Sequence, residues 1–424
     1  MITILLRIAA TLLSVSYSHV VAQTNATAPL TLAIAVQLAV SQSRLVEAGR
    51  LQASSARDMA LAAGQLPDPV LKLGINNLPV SGDDRFSFGR DFMTMRSVGV
   101  MQEFIRADKR LARTLRFEKE AQSAEAIRLL NTSNSQRSTA LAWLDRHFQE
   151  RMADLLVRLE NEARLQIDAA EAAYRGNRGS RGDVIAARSA LAQIEDRAAV
   201  AGRQVQTAKT LLIRWVGGVA EQPLSAPPAL NVAPLSEVDL ESQIQHHPQI
   251  AVMVKQEEIA LADADLARAN QRADWSAELM YSQRGSAYSN MISINLSLPL
   301  QWGQKDRQKR ELAAKQATVL QLRAEREDAL STRAAEIRAM LQEWHSHRAR
   351  LKRYDQALAP LSLERTQAAI TAYGAGSTSG GNLTAVLEAR RAELETRMER
   401  LRIEMESARL WAQLTYLTPA GEQP

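Results

Sequence analysis

Residues Lys109–Tyr174 read KRLARTLRFEKEAQSAEAIRLLNTSNSQRSTALAWLDRHFQERMADLLVRLENEARLQIDAAEAAY, a stretch with neither Gly nor Pro. Ala, Leu, Arg, Glu and Gln dominate it, the composition of very long helices and coiled coils. At 1.5 Å per residue such a helix reaches roughly 100 Å. The same reading returns in the second half, from Lys305 to Tyr373, where only Pro360 interrupts. Each long helix leads through a Gly-rich loop, about 174–183 and about 373–382, into a return helix. On the first return helix Val184, Ala187, Leu191, Ile194, Ala198, Ala201, Val205, Ala208, Leu212 and Trp215 are spaced by three and four. On the second, Leu387, Leu394, Met398, Leu401, Met405, Ala408, Ala412 and Thr415 keep the rule, with Arg391 as the exception. That spacing makes left-handed coiled-coil seams, and the many Ala residues permit close approach.

Ahead of each long helix lies a shorter helix (about 32–63 and 237–271) and then a pair of strands, within about 68–104 and 274–300. Leu71, Leu73 and Ile75 alternate with Lys72, Gly74 and Asn76. The return strand near Thr94–Phe104 alternates less clearly. Trp275, Ala277, Leu279 and Tyr281 alternate with Ser276, Glu278, Met280 and Ser282, and the last strand places Ile292, Ile294, Leu296, Leu298 and Leu300 on one face. Period two over about ten residues, apolar on one side and polar on the other, marks an outer-membrane β-strand. The competing reading is an amphipathic sheet in a soluble domain, but the helices that would cover such a sheet are committed to seams.

The order helix, two strands, long helix, Gly-rich loop, helix therefore occurs twice. The predicted organisation is a first repeat over 23–223, a Pro-rich linker at 224–235, a second repeat over 236–418 and a tail at 419–424. Four strands cannot close a transmembrane barrel, whose smallest form has eight. Open edges are not tolerated in lipid. Strands that span a membrane must then be pooled by several chains.

Composition sets further bounds. The chain has 424 residues, only 4% of them aromatic, and no Cys, which excludes disulfides, thiolate metal sites, a catalytic thiol and lipidation on Cys. Arg7, the apolar run Ile8–Val15 and Val20-Val21-Ala22 ahead of Gln23 resemble a secretory signal over 1–22, with an N-terminal anchor as the rival reading. No other segment has the roughly 18 apolar residues of a membrane helix. The net charge of +5 is spread over interspersed acids and bases without a basic stripe, so no nucleic-acid partner is expected. No G-x-x-x-x-G-K loop, nucleophile elbow or H-E-x-x-H occurs, so neither an enzyme nor a cofactor is predicted.

Over nearly the whole mature chain this arrangement resembles the TolC-type outer-membrane efflux proteins. PDPVLKLGINNLPV (67–80), FMTMRSVGVMQEF (92–104) and Asp108-Lys109-Arg110 are similar to the heavy-metal branch serving RND tripartite pumps. The resemblance implies a mainly α protein with a small β part. Three chains would pool four strands each into a 12-stranded transmembrane barrel above a coiled-coil tunnel. It also implies loops 81–91 and 284–289 outside the cell, and tips in the periplasm that meet an adaptor protein. The adaptor would join an inner-membrane RND pump that supplies the energy. The implied cargo is a heavy-metal cation such as cobalt, zinc, cadmium, copper or silver.

In that family each tip begins with a Tyr, here Tyr174 and Tyr373, and leads into acids that ring the aperture. Asp183 holds the first acid position and Ala186 replaces the second; Ala385 replaces the first acid of the other half and Glu388 supplies its second. Arg175, Arg178 and Arg181 beside Asp183 are aperture candidates as inter-subunit ion pairs. The alternative is a solvated turn with Asp183 as a helix N-cap. Glu388 is either a lumen-facing acid or an ordinary solvated side chain. Pro360 is a hinge candidate or a static bend. His246 with His247, and His345 with His347, lack the spacing of a two-His chelate, so no resident metal is expected. Two rival functions stay open: a same-fold exit duct for drugs or type I secreted proteins, and a coiled-coil scaffold without a pore.

Overall fold

The computed structural model describes residues 28–233, 240–375 and 383–419. The predicted leader at 1–22, the end of the linker, most of the second tip and most of the tail lie outside the described residues. Two helices, α1 (Leu32–Gln42) and α2 (Arg44–Ala63), precede β1 (Val70–Asn76) and β2 (Met95–Phe104). Then come α3 (Ala107–Arg175) and α4 (Arg181–Val216). The order recurs as α5 (Leu240–Gln245), α6 (Pro248–Ala269), β3 (Trp275–Gln283), β4 (Met291–Ser297), α7 (Gln308–Arg353), α8 (Ala359–Gly374) and α9 (Leu383–Thr415).

Two expectations need correction here. Each short helix expected as one piece is broken. The first breaks at Ser43, whose extended backbone ends α1 and whose Oγ accepts the Val46 N–H (3.4 Å) at the start of α2. The second breaks ahead of Pro248, which has no N–H to continue a helix and opens α6, while His247 Nδ1 caps Gln249 N (3.2 Å). The last strand stops at Ser297, short of the alternation through Leu300, because Pro299 cannot donate to a ladder.

The helical core centres on α3, which packs against α1, α2, α4, α6 and α9. Trp143, Leu144 and Phe148 of α3 are fully buried with Leu32 and Ala35 of α1, Leu212 and Val216 of α4, and Ala408 and Ala412 of α9. Trp143 Nε1 donates to Leu30 O (3.0 Å), and Leu30 in turn bridges to Leu224, so the Pro-rich segment starts as part of this core and not as a free tether. Every expected seam position on α4 is buried or half-buried. On α9 the expected seam is joined by a second buried line, Val386, Ala389, Glu393, Ile403, Ser407 and Leu414, because this helix packs against α3, α7 and α8 at once.

Candidate channel site: a two-faced sheet and a charged helical tip

The four strands form one antiparallel sheet in the order β1-β2-β3-β4, so the repeats join at the β2–β3 pair and the outer sides of β1 and β4 have no partner strand among the described residues. The register stacks like on like. Leu73, Val98, Tyr281 and Ile292 form one row, Leu71, Val100, Leu279 and Ile294 the next. These side chains are exposed, up to 74% for Ile294 and Leu296. The opposite face carries Lys72, Asn76, Ser97, Gly99, Glu278, Ser282, Ser293 and Asn295, and it is more enclosed: Ser97, Gly99 and Ser282 are buried. Lys72 Nζ meets Glu278 Oε2 at 2.7 Å on that side, and Asn76 donates to Ser97 Oγ (3.1 Å). The strands run seven to ten residues, so at about 3.3 Å per residue the apolar face is a band roughly 23–33 Å long along the strands.

Aromatics gather at both margins of this band. Phe104 stacks on Trp275 (4.3 Å between centroids) and Trp302 lies 88% exposed at the helix-side margin. Phe86, Phe88, Phe92 and Tyr288 occupy the loops at the other. Such belts suit the two interfaces of a bilayer. The sheet is clamped to the helices by the motif around Asp108. Lys109 Nζ binds Asp274 Oδ2 (2.6 Å), Arg106 N donates to Asp274 Oδ1 (3.0 Å), and Asp108 meets Arg272 (3.1 Å). Burial opposes the Asp274 charge, yet the Lys109 and Arg106 hydrogen bonds hold its carboxyl below the usual range. Asp108-Lys109-Arg110, which carried the likeness to metal exporters, is thus a junction between the two repeats.

At the far end of α3 the first tip is a short, ordered loop. Asn177 is left-handed (φ 55°), and Gly176 N and Arg178 N donate to Ala172 O (3.0 Å) and Ala173 O (2.9 Å). Asp183 is not the N-cap expected for α4. Ser180 is, and Asp183 stands at the third helical position of a capping box: its Oδ2 accepts from Ser180 N (2.8 Å) and Oγ (2.9 Å), while Ser180 Oγ accepts Asp183 N–H (3.1 Å). The spacing Ser-x-x-Asp was the signal in the sequence for this. Arg175, Arg178 and Arg181 are exposed and have no ion-pair partner among the described residues. The structure therefore does not bring them onto Asp183 within one chain.

The aromatic pair is also unequal. Tyr174 is half exposed, whereas Tyr373 packs on the cluster of Ala170, Val184, Ala187, Leu383 and Val386. Glu388 is exposed on α9 without an ion pair among the described residues; Arg390 and Arg391 beside it are held by Glu162 (2.9 Å) and Glu395 (3.1 Å). Pro360 follows a π turn, Tyr354–Leu358, in which Ala359 N–H reaches back to Tyr354 O. This wider turn makes room for the ring that would otherwise strike the preceding carbonyls. His247 and His347 are both buried, and His345 lies edge-on to Trp344. His347 Nε2 lies 3.5 Å from Glu343 and 3.8 Å from Glu406.

No protein-family model matches the chain, and no curated protein sequence matches it. Solved structures do match across nearly its full length. The outer-membrane channel OprN superposes with a TM-score of 0.77 at 15% identity, covering 93% of this chain and 91% of OprN. A membrane protein from Pseudomonas aeruginosa gives 0.75 at 17% identity, covering 91% and 93%. The outer membrane protein VceC from Vibrio cholerae gives 0.74 at 17%, covering 92% and 97%. The two-faced sheet with unpaired edges, the helical body more than one hundred residues long in each repeat, and these superpositions together give the chain the fold of the outer-membrane channels.

Proposed function

We propose that this chain is the outer-membrane exit duct of a tripartite efflux system, a passive conduit and not an enzyme. One observation carries the reading: an exposed apolar sheet face, flanked by aromatics, whose two edge strands lack partners among the described residues. Exposed apolar area of that extent calls for lipid, and lipid forbids open edges. Chains must then share a barrel, and three chains would give the 12-stranded form. No helix among the described residues is long and apolar enough to cross a membrane, so in this reading the strands alone span it. The helices then stand in the periplasm, where an adaptor protein and an inner-membrane RND pump complete the machine. Asp183 is occupied by its capping box, which makes Glu388 the better candidate to line an aperture, with Tyr174 and Tyr373 opening the two tips and Pro360 as the hinge.

The proposed cargo is a heavy-metal cation. Beyond the motifs at 67–80 and 92–104, the enclosed polar face of the sheet carries Met95, Met101, Met280 and Met291 among its hydroxyls and amides. Thioethers favour soft cations, and weak scattered ligands allow passage without trapping. The test is a strain lacking the gene, with and without a plasmid copy, on zinc, cadmium, cobalt, nickel, copper and silver salts beside hydrophobic antibiotics. Complementable loss of metal tolerance is expected. Loss confined to antibiotics would replace the cargo with drugs. Silence of the purified protein in planar bilayers would leave only a coiled-coil scaffold.

A further inference from the structure

We propose that the first tip, Tyr174–Asp183, is a docking surface for an acidic segment of a protein partner. The inference rests on the exit-duct reading and adds the chemistry of the partner. Three guanidinium groups, Arg175, Arg178 and Arg181, lie within seven residues, all exposed and without ion pairs among the described residues. The first paired arginine back from the tip is Arg188, 2.7 Å from Glu171. Asp183, the only acid between 172 and 194 in the sequence, spends its oxygens on Ser180. It neutralises none of the three. The N-terminus of α4 adds its own positive end at the same place.

The loop that carries them is fixed before any partner arrives. Its turn is closed by the three backbone hydrogen bonds of Gly176, Asn177 and Arg178. Gly179 lies so close to the end of α3 that a Cβ there would be 3.2 Å from Ala173 Cβ. Guanidinium groups on a fixed frame lose little entropy when they take up a carboxylate, and arginine does so with two parallel hydrogen bonds. In the sequence of the second tip, residues 374–384, GAGSTSGGNLT, contain no charged side chain. A ring of such chains would present basic and neutral tips in alternation, and a complementary partner would repeat its acids at every other position.

The experiment uses the full chain in its own host. It compares wild type, the triple reversal Arg175→Glu/Arg178→Glu/Arg181→Glu, the conservative triple Arg→Lys at the same positions, and a deletion. A photo-crosslinking side chain at Gly176 reports the contact. The expected results are an about tenfold or greater fall in tolerance for the reversal, with the Lys variant within about twofold of wild type. Amount in the outer membrane and conductance in planar bilayers should stay level. The Gly176 crosslink should fall on a peptide rich in Asp and Glu, and reversing that peptide's charges should restore the reversed tip. Full tolerance of the triple reversal overturns the proposal. So does raised conductance of that variant alone, which would make the arginines part of a closed aperture, or a crosslink to a glycan or to a peptide without acids. If deletion leaves tolerance intact, the exit-duct reading falls, and the Gly176 crosslink still decides the docking surface.

Discussion

The two repeats share an element order but bear different loads. In the first, α3 runs uninterrupted and gives the central cluster its largest buried side chains, Trp143 and Phe148. In the second, α7 buries far fewer residues, gives way to a π turn before Pro360, and continues as α8 with Leu361, Leu363 and Ile370 exposed. Trp143 and Trp344 stand at the same depth in their long helices. Trp143 is anchored on Leu30 O, whereas Trp344 Nε1 is buried without a hydrogen-bond partner among the described residues. The helix breaks differ too: a neutral Ser43 caps one and a titratable His247 the other. A repeated sequence pattern therefore fixes the layout, while the first repeat supplies most of the packed centre, completed by α9, and the second keeps more surface for other contacts.

Four measurements break or sharpen that contrast. The largest effect is expected for Trp143→Ala, about 3–5 kcal/mol of stability in chemical unfolding of the solubilised protein. Trp344→Ala should cost clearly less, and equal losses would erase the asymmetry. In the sheet, Ile294→Arg should cost about 2–4 kcal/mol of folding into lipid vesicles, whereas Asn295→Arg on the enclosed face should be nearly neutral. If both are neutral, the sheet does not face lipid.

The third concerns pH. Burial, helped by the Arg333 and Arg137 charges, lowers His247 to about 4. The unfolded chain takes up this proton near 6.5 and the folded chain does not. The contribution of His247 is therefore complete above about 6.5 and lost progressively between 6.5 and 4, about 2 kcal/mol by pH 5. Unfolding midpoints measured from pH 7 to pH 5 should fall, and His247→Ser, which copies the cap of the first repeat, should flatten that part of the fall. The smallest is Asp183→Ala, about 1 kcal/mol or less from the lost half of the capping box. It should appear as faster amide hydrogen exchange in the first turn of α4, with little change in the global midpoint. Unchanged exchange would show that Asp183 serves something other than its own helix.

Much of this fold was legible because its periods are long and uninterrupted. Sixty residues without Gly or Pro, heptads on α4 and two-residue alternation in β3 leave few alternatives. What escaped depends on single contacts. Ser43 breaks a helix with neither Gly nor Pro nearby, because its side chain competes with the backbone as a cap. The second buried line of α9 is invisible from one helix, since it exists only where α7 and α8 pack on its other sides. At the tip, the Arg cluster was plain in the sequence, but which partner Asp183 chooses is a matter of ångströms. Pro299 and Ser180-x-x-Asp183 are local signals that mark a strand end and a capping box within longer periodic stretches.

The unpaired edges of β1 and β4 have a genetic consequence. If three chains pool their sheets into one barrel, as proposed, that barrel is only as good as its worst contributor. In a cell making normal and faulty chains in equal numbers, with free mixing into threes, only about one assembly in eight would be wholly normal, a count that follows from closed oligomers with identical interfaces. Lesions that spare the edges but spoil the lumen or the tips should therefore be dominant, whereas lesions that destroy an edge strand remove the chain from the pool and should be recessive.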